Sequence, residues 1–148
     1  MSSAYESTVI DADPDTVWGF LRDFDGTGKY VVESLSSEIE DGKRADQVGA
    51  VRRILLEGGF NVRERLVHMS DLDRSFSYAL LPGGDVPLEN YVATMRVTPV
   101  TDSGKSFVEW SSTFTASGDD PVGLVKWLHE IYRSGLNGLR KAAAGREG

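Results

Sequence analysis

Residues 89–116 read ENYVATMRVTPVTDSGKSFVEWSSTFTA, and after a short connection residues 120–145 read DPVGLVKWLHEIYRSGLNGLRKAAAG. The first stretch alternates apolar and polar residues on either side of Asp102-Ser103-Gly104, which predicts two strands, Glu89 to Val100 and Ser106 to Ala116, joined by a turn. A turn centred on Asp102-Ser103 sets Val97 opposite Val108, Met95 opposite Trp110, Ala93 opposite Ser112 and Tyr91 opposite Phe114 on one face. Asn90, Thr94, Arg96, Glu109, Ser111 and Thr113 then share the other, more polar face. The inner set mixes large aromatics with small Ala93 and Ser112, a pattern that leaves room and that also fits an ordinary half-buried sheet core. In the second stretch Asp120-Pro121 opens a helix of about twenty residues, ending near Gly145, with Leu124, Leu128, Ile131 and Leu139 at helical spacing.

Working outward, Tyr5 to Ile10 reads as a strand, and Asp13-Pro14 starts a short helix that carries Val17, Trp18, Phe20 and Leu21 to about Arg22. Asp25 to Lys29 holds no more than a turn or a very short helix. Four further strands are predicted at Leu35 to Glu40, Val48 to Glu57, Asn61 to Met69 and Ser75 to Leu81, separated by glycine- and aspartate-rich turns. The order is therefore one strand, a short helical region, six strands and one long helix. Antiparallel strands joined by short turns need a cover on one face, and the terminal helix is the only element large enough to supply it. The fold class is α+β: a seven-stranded antiparallel sheet curled around a long C-terminal helix, with a cavity between them wherever closure is incomplete.

The composition agrees with a chain that builds its own core. At 148 residues, 40% of them hydrophobic, it is expected to fold as a single domain over 1–148 and to bury roughly two-thirds of its unfolded surface. No cysteine is present, which excludes disulfides, thiolate metal sites and a cysteine nucleophile. With 16 Lys and Arg against 23 Asp and Glu, the net charge of -7 argues against nucleic acid or an anionic membrane as partner. The amino terminus lacks a basic and then apolar leader, and no stretch reaches the roughly 20 apolar residues of a membrane span, so a cytoplasmic location is expected. No residue set calls for a metal or a cofactor: His68 and His129 are far apart, and Glu38, Glu40 and Asp41 lack the spacing of a calcium loop. His129 is expected on the solvent side of the terminal helix. The oligomeric state stays open.

Two charges stand in apolar rows. Ala50, Arg52, Ile54 and Leu56 share one face of their strand, and Val62, Glu64 and Leu66 share one face of the next. A buried charge needs a partner, and Arg52 and Glu64 can supply one another across the hairpin. A two-residue Gly58-Gly59 turn would place Arg53 opposite Glu64 instead, whereas an odd loop or a bulge favours Arg52; both registers are open at this level.

Val48-Gly49-Ala50-Val51-Arg52-Arg53, Gly58-Gly59, Val62-Arg63-Glu64-Arg65-Leu66, Pro82-Gly83-Gly84-Asp85 and Asn90-Tyr91 resemble the polyketide cyclase/dehydrase group of the START/Bet v 1-like (SRPBCC) superfamily. The order of elements is similar to that superfamily's helix-grip fold along essentially the whole chain. The resemblance implies a cavity for a small hydrophobic or amphipathic molecule, polyketide-, lipid- or isoprenoid-like. By matching position, Lys29, Arg52 and Glu64 resemble its polar groups; Ile54, Val62, Tyr78, Leu80, Tyr91, Ala93 and Trp110 resemble the sheet wall; and Trp127, Ile131 and Gly135 the helix wall. Gly58-Gly59-Phe60 and Gly83-Gly84-Asp85-Val86-Pro87 correspond to two entrance loops, with Phe60 expected to be mobile. Gly135 is expected to enlarge the space.

Three functions are compatible with these residues. The first is binding or transport of a small hydrophobic ligand. The second is a cyclase, aromatase or dehydratase, for which Glu64, Lys29 and Tyr91 are the catalytic candidates. The third is a co-chaperone-like interaction module, marked by an exposed apolar patch. Since two of the three inward-facing charges would be basic, the expected pocket is locally cationic and suited to a carboxylate, enol or ketone oxygen.

Overall fold

A computed structural model describes residues 1–147. Seven antiparallel strands form one sheet: β1 (Ser2–Ile10), β2 (Ser34–Ile39), β3 (Val51–Leu56), β4 (Phe60–Ser70), β5 (Ser75–Leu80), β6 (Leu88–Val100) and β7 (Lys105–Ala116). Their order across the sheet is β1-β7-β6-β5-β4-β3-β2, so the only long crossing runs from β1 to β2. Helix α1 (Pro14–Leu21) and a single 3-10 turn (Thr27–Lys29) occupy that crossing, and helix α2 (Pro121–Glu147) lies across the concave face. This is the expected helix-grip arrangement.

Local chemistry sets the element boundaries. Asp13 caps α1 by accepting hydrogen bonds from the Asp15 and Thr16 amides at 3.1 and 3.3 Å, and Pro14 fills the first turn, where a missing N–H costs nothing. Gly58 and Gly59 both adopt positive φ in a three-residue connection, Glu57-Gly58-Gly59, which pairs Leu56 with Phe60. That odd count settles the register left open by the sequence: Arg52 stands opposite Glu64, and Arg53 opposite Arg63.

The β6–β7 register agrees with the expected one from Val97–Val108 through Met95–Trp110 to Ala93–Ser112. It then shifts between Glu89 and Val92, where Asn90 takes a left-handed conformation (φ 55°) that asparagine tolerates better than most side chains. The bulge turns Glu89 and Asn90 outward together and leaves both Leu88 and Tyr91 facing α2. The Tyr91 and Phe114 rings remain in contact, with centroids 6.0 Å apart.

Helix α2 buries one stripe, Leu128, Tyr132, Leu136, Leu139 and Ala143, against the sheet and α1. Its other attachment is polar. His129 Nδ1 lies 2.7 Å from Glu6 Oε2, and Arg133 reaches the same carboxylate at 3.3 Å, so His129 faces β1 rather than open solvent as expected. Burial works against the Glu6 charge, yet the hydrogen bonds from His129 and Arg133 outweigh it and hold the carboxyl below the usual range. A carboxyl with a lowered folded-state pKa contributes stability above its unfolded pKa and loses it as pH falls through the folded one. Glu6→Gln is therefore expected to cost stability at pH 7 and progressively less as pH falls through the folded-state pKa, a trend that urea midpoints along an acid pH series would register.

Candidate ligand-binding cavity

Between the sheet and α2 lies an inner chamber of about 70 Å³. Strands β3 and β4 supply Arg52, Ile54, Leu56, Val62 and Glu64; β5 and β6 supply Tyr78, Leu80, Leu88 and Tyr91; β7 supplies Trp110. The period-2 alternation of each strand puts these side chains on one face. Helix α2 closes the chamber with Trp127, Leu128, Ile131 and Tyr132, and Thr27, Val31 and Val86 complete it. Beyond Val86 and Trp127, which line both spaces, opens a vestibule of about 240 Å³ bounded by Phe60, Asp85, Pro87 and Leu124.

The entrance loops are fixed to one another. The Asp85 amide donates to the Asn61 carbonyl at 2.9 Å, and the Asn61 amide donates to the Asp85 carboxylate at 2.7 Å. Gly84 passes so near this junction that a Cβ would stand 2.9 Å from the Asn61 carbonyl oxygen. On the other side Ser117 donates twice to the Pro87 carbonyl, through its amide at 3.0 Å and its hydroxyl at 2.9 Å. Phe60 lies over Gly58, where an added Cβ would meet the ring at 2.9 Å.

The polar part of the chamber has two clusters. In the first, Arg52 is buried and its Nε donates to Glu64 Oε1 at 2.8 Å, while Nη1 donates to the Phe24 carbonyl at 3.0 Å and to Thr27 Oγ1 at 2.7 Å. Its guanidinium is flanked by the Phe24 and Tyr78 rings, 4.0 and 4.8 Å from their centroids. Burial opposes this charge, but the Glu64 carboxylate and the facing tyrosines outweigh it, so Arg52 is held above its ordinary pKa.

The second cluster is a chain of hydroxyls. Trp110 Nε1 donates to Tyr78 Oη at 3.1 Å, Tyr78 Oη lies 3.4 Å from Tyr91 Oη, Tyr91 Oη is bonded to Tyr132 Oη, and Tyr132 donates to Ser112 Oγ at 2.8 Å. Trp110 and Tyr132 also stack, with centroids 4.3 Å apart. Burial pushes all three tyrosines up, Tyr78 and Tyr91 well above the ordinary value, with neighbouring charge adding to it; each keeps its proton at neutral pH.

Ten of the side chains singled out in the sequence line the chamber: Arg52, Ile54, Val62, Glu64, Tyr78, Leu80, Tyr91, Trp110, Trp127 and Ile131. Phe60 lines the vestibule instead. Lys29 stands outside both spaces, exposed on the 3-10 turn and 3.6 Å from Asp23, because that turn directs Thr27 rather than Lys29 inward. Ala93 is buried opposite Tyr78 in the β5–β6 pairing, under the sheet's own core. Gly135 does not enlarge the space: a Cβ there would meet Trp110 at 2.7 Å and Val31 at 3.3 Å, so the glycine lets the indole pack against the helix. Tyr132, which ends the hydroxyl chain, is not among the wall residues read from the sequence; one turn beyond Leu128, it fits a core position as well as a site.

The expected cationic pocket is thus not what the fold builds. With Lys29 outside, the chamber's charged groups are Arg52 and Glu64, and these neutralise one another. Among the described residues no group of three or more histidine, cysteine, aspartate or glutamate side chains is placed to hold a metal ion. No described helix is long and apolar enough to cross a membrane.

An antiparallel sheet gripping its terminal helix around an internal cavity defines the class of protein. The chain belongs to the polyketide cyclase/dehydrase and lipid transport family, whose model matches residues 1–144, and this bears out the resemblance read from the sequence. Among solved structures it is similar to the protein XoxI from Bacillus cereus, with 29% identity, 100% of this chain and 99% of that one covered, and a TM-score of 0.87. A putative uncharacterized protein from Bacillus thuringiensis shares 28% identity over 97% and 99% of the two chains, with a TM-score of 0.83. A protein from Nitrosospira multiformis shares 26% over 96% of each, with a TM-score of 0.81. No curated protein matches the chain.

Proposed function

We propose that this protein binds a small, largely apolar molecule with one polar end, the polar end entering the inner chamber and the apolar body occupying the vestibule. The observation that carries this reading is the adjacency of two spaces of unequal character, which share Val86 and Trp127 in their walls. The inner one, about 70 Å³, admits only a few atoms and carries most of the hydrogen-bonding groups; the outer one, about 240 Å³, is bounded by Phe60, Val86, Pro87, Leu124 and Trp127, with Asp85, bonded to the Asn61 amide, as its one charged residue. Together they reach the lower end of the roughly 300–1,000 Å³ range of small-molecule sites. Membership of a family described by lipid transport as well as cyclisation supports the same reading.

The neutral apolar dye Nile red is expected to bind saturably, and native mass spectrometry of the purified protein to find a retained small molecule. Leu124→Arg, which puts a charge at the vestibule and leaves the chamber untouched, should weaken dye binding by about ten-fold or more with an unchanged circular dichroism spectrum. Absence of both a retained molecule and saturable dye uptake would refute the reading.

A second reading, cyclisation or dehydration of a polyketide-like substrate in the same chamber, is favoured by Glu64 and Tyr91 lining one space. Glu64 would serve as base and the protonated Tyr91 as donor. It draws less support, since Lys29 lies outside and the Tyr91 hydroxyl is already bonded to Tyr132.

A further inference from the structure

The hydrogen bonds around the chamber run in one direction. Tyr132 gives its proton to Ser112, so the bond between Tyr91 and Tyr132 takes the Tyr91 proton. Tyr91 can then only accept from Tyr78, whose oxygen already receives the Trp110 N–H. Each O–H of the chain is consumed by the next residue. Arg52 places its Nε on Glu64 and its Nη1 on Phe24 and Thr27.

Glu64 is different. Arg52 engages its Oε1, and among the described residues Oε2 receives no donor. Nor is Oε2 sealed in, because Ser34 Oγ is the one buried side-chain oxygen or nitrogen without a partner among those residues. Glu64 lines the chamber, so its Oε2 offers an incoming polar group an open, charged acceptor.

The charge balance narrows the class further. The Arg52–Glu64 pair is neutral as a unit, and no other charged side chain lines the chamber. An ammonium would leave one uncompensated positive charge in an apolar space beside Arg52, and a carboxylate one uncompensated negative charge beside Glu64. We propose that the polar end of the ligand is a neutral hydroxyl, an aliphatic alcohol or a phenol, which donates its proton to Glu64 Oε2. This rests on the binding reading above, and it replaces the carboxylate or ketone oxygen expected from the sequence.

Displacement of Nile red at pH 7 by four eight-carbon molecules separates the two claims. Octan-1-ol should displace the dye at a concentration at least ten-fold lower than its isomer 1-methoxyheptane, octanoate or octylammonium, the ether being matched in size and lacking only the donor. In Glu64→Gln, whose amide oxygen can still accept from Arg52 while its N–H₂ faces the chamber, the gap between alcohol and ether should close. Equal displacement by alcohol and ether in the unaltered protein, or preference for octanoate or octylammonium, overturns the hydroxyl assignment while leaving the cavity a binding site. Failure of the dye to bind at all defeats the binding reading itself. The ranking on the unaltered protein decides the matter even if the variant does not fold.

Discussion

Arg52→Met, made alone, is expected to destabilise the protein by about 3–5 kcal/mol. The substitution leaves the Glu64 carboxyl group 9% exposed with no partner, strips a donor from the Phe24 carbonyl and from Thr27 Oγ1, and removes the guanidinium from between two aromatic faces. The loss is not the net worth of the ion pair, most of which is offset by the cost of desolvating both charges. It is the penalty for one buried charge left behind. The double variant Arg52→Met with Glu64→Leu removes that penalty and should therefore be less than half as destabilised as the single one. Urea unfolding of the three variants measures this directly. Equal or additive losses would show that Arg52 acts mainly by holding the segment around Phe24 and Thr27.

Gly138→Ala is expected to cost about 3 kcal/mol or more, although alanine is the better helix former by about 1 kcal/mol. Helix α2 passes so close to the segment after the 3-10 turn that an added Cβ would overlap the Tyr30 carbonyl oxygen and crowd its carbonyl carbon at 2.8 Å. These are backbone atoms and cannot swing aside, so either α2 or the 30–31 segment must move. Gly135, one turn earlier, meets the Trp110 ring instead, and a side chain can yield; Gly135→Ala should be the milder of the two. Thermal unfolding of both variants tests the order. A stabilised Gly138→Ala would mean that the helix has room to slide, and the chamber dimensions would then not be fixed by this contact.

The two expected results mark the two kinds of information in the molecule. The alternation in 89–116 and the helical spacing in 120–145 were legible because each strand or helix must present one apolar face, and that requirement is written locally. The isolated charges Arg52 and Glu64 were legible for the same reason: a charge on an apolar face is an anomaly in one strand, before any partner is known. Tyr91 and Trp110 followed from the strand face they share, and Ile131 from the resemblance to the family.

What could not be read was set by contacts distant in sequence. Lys29 and Thr27 are two residues apart, and only the docking of the 3-10 turn against Arg52 decided that the threonine faces inward. Gly135 looked like missing bulk until Trp110, from another strand, was seen to fill the place. Tyr132 was one aromatic in a core stripe until Tyr91 and Ser112 came within hydrogen-bonding reach of its hydroxyl.

The sequence by itself determined the sheet, the helix across it, the face that most strand residues present, and the two charges, Arg52 and Glu64, that stand in apolar rows. The tertiary structure alone decided the Arg52–Glu64 register, through a three-residue turn, and the direction of the tyrosine hydrogen bonds. It also made the chamber neutral rather than cationic, by leaving Lys29 outside. The physical reason is that periodicity fixes which side of an element a residue faces. The balance of charge and the direction of hydrogen bonds depend on which atoms of different elements come within about 3 Å of one another.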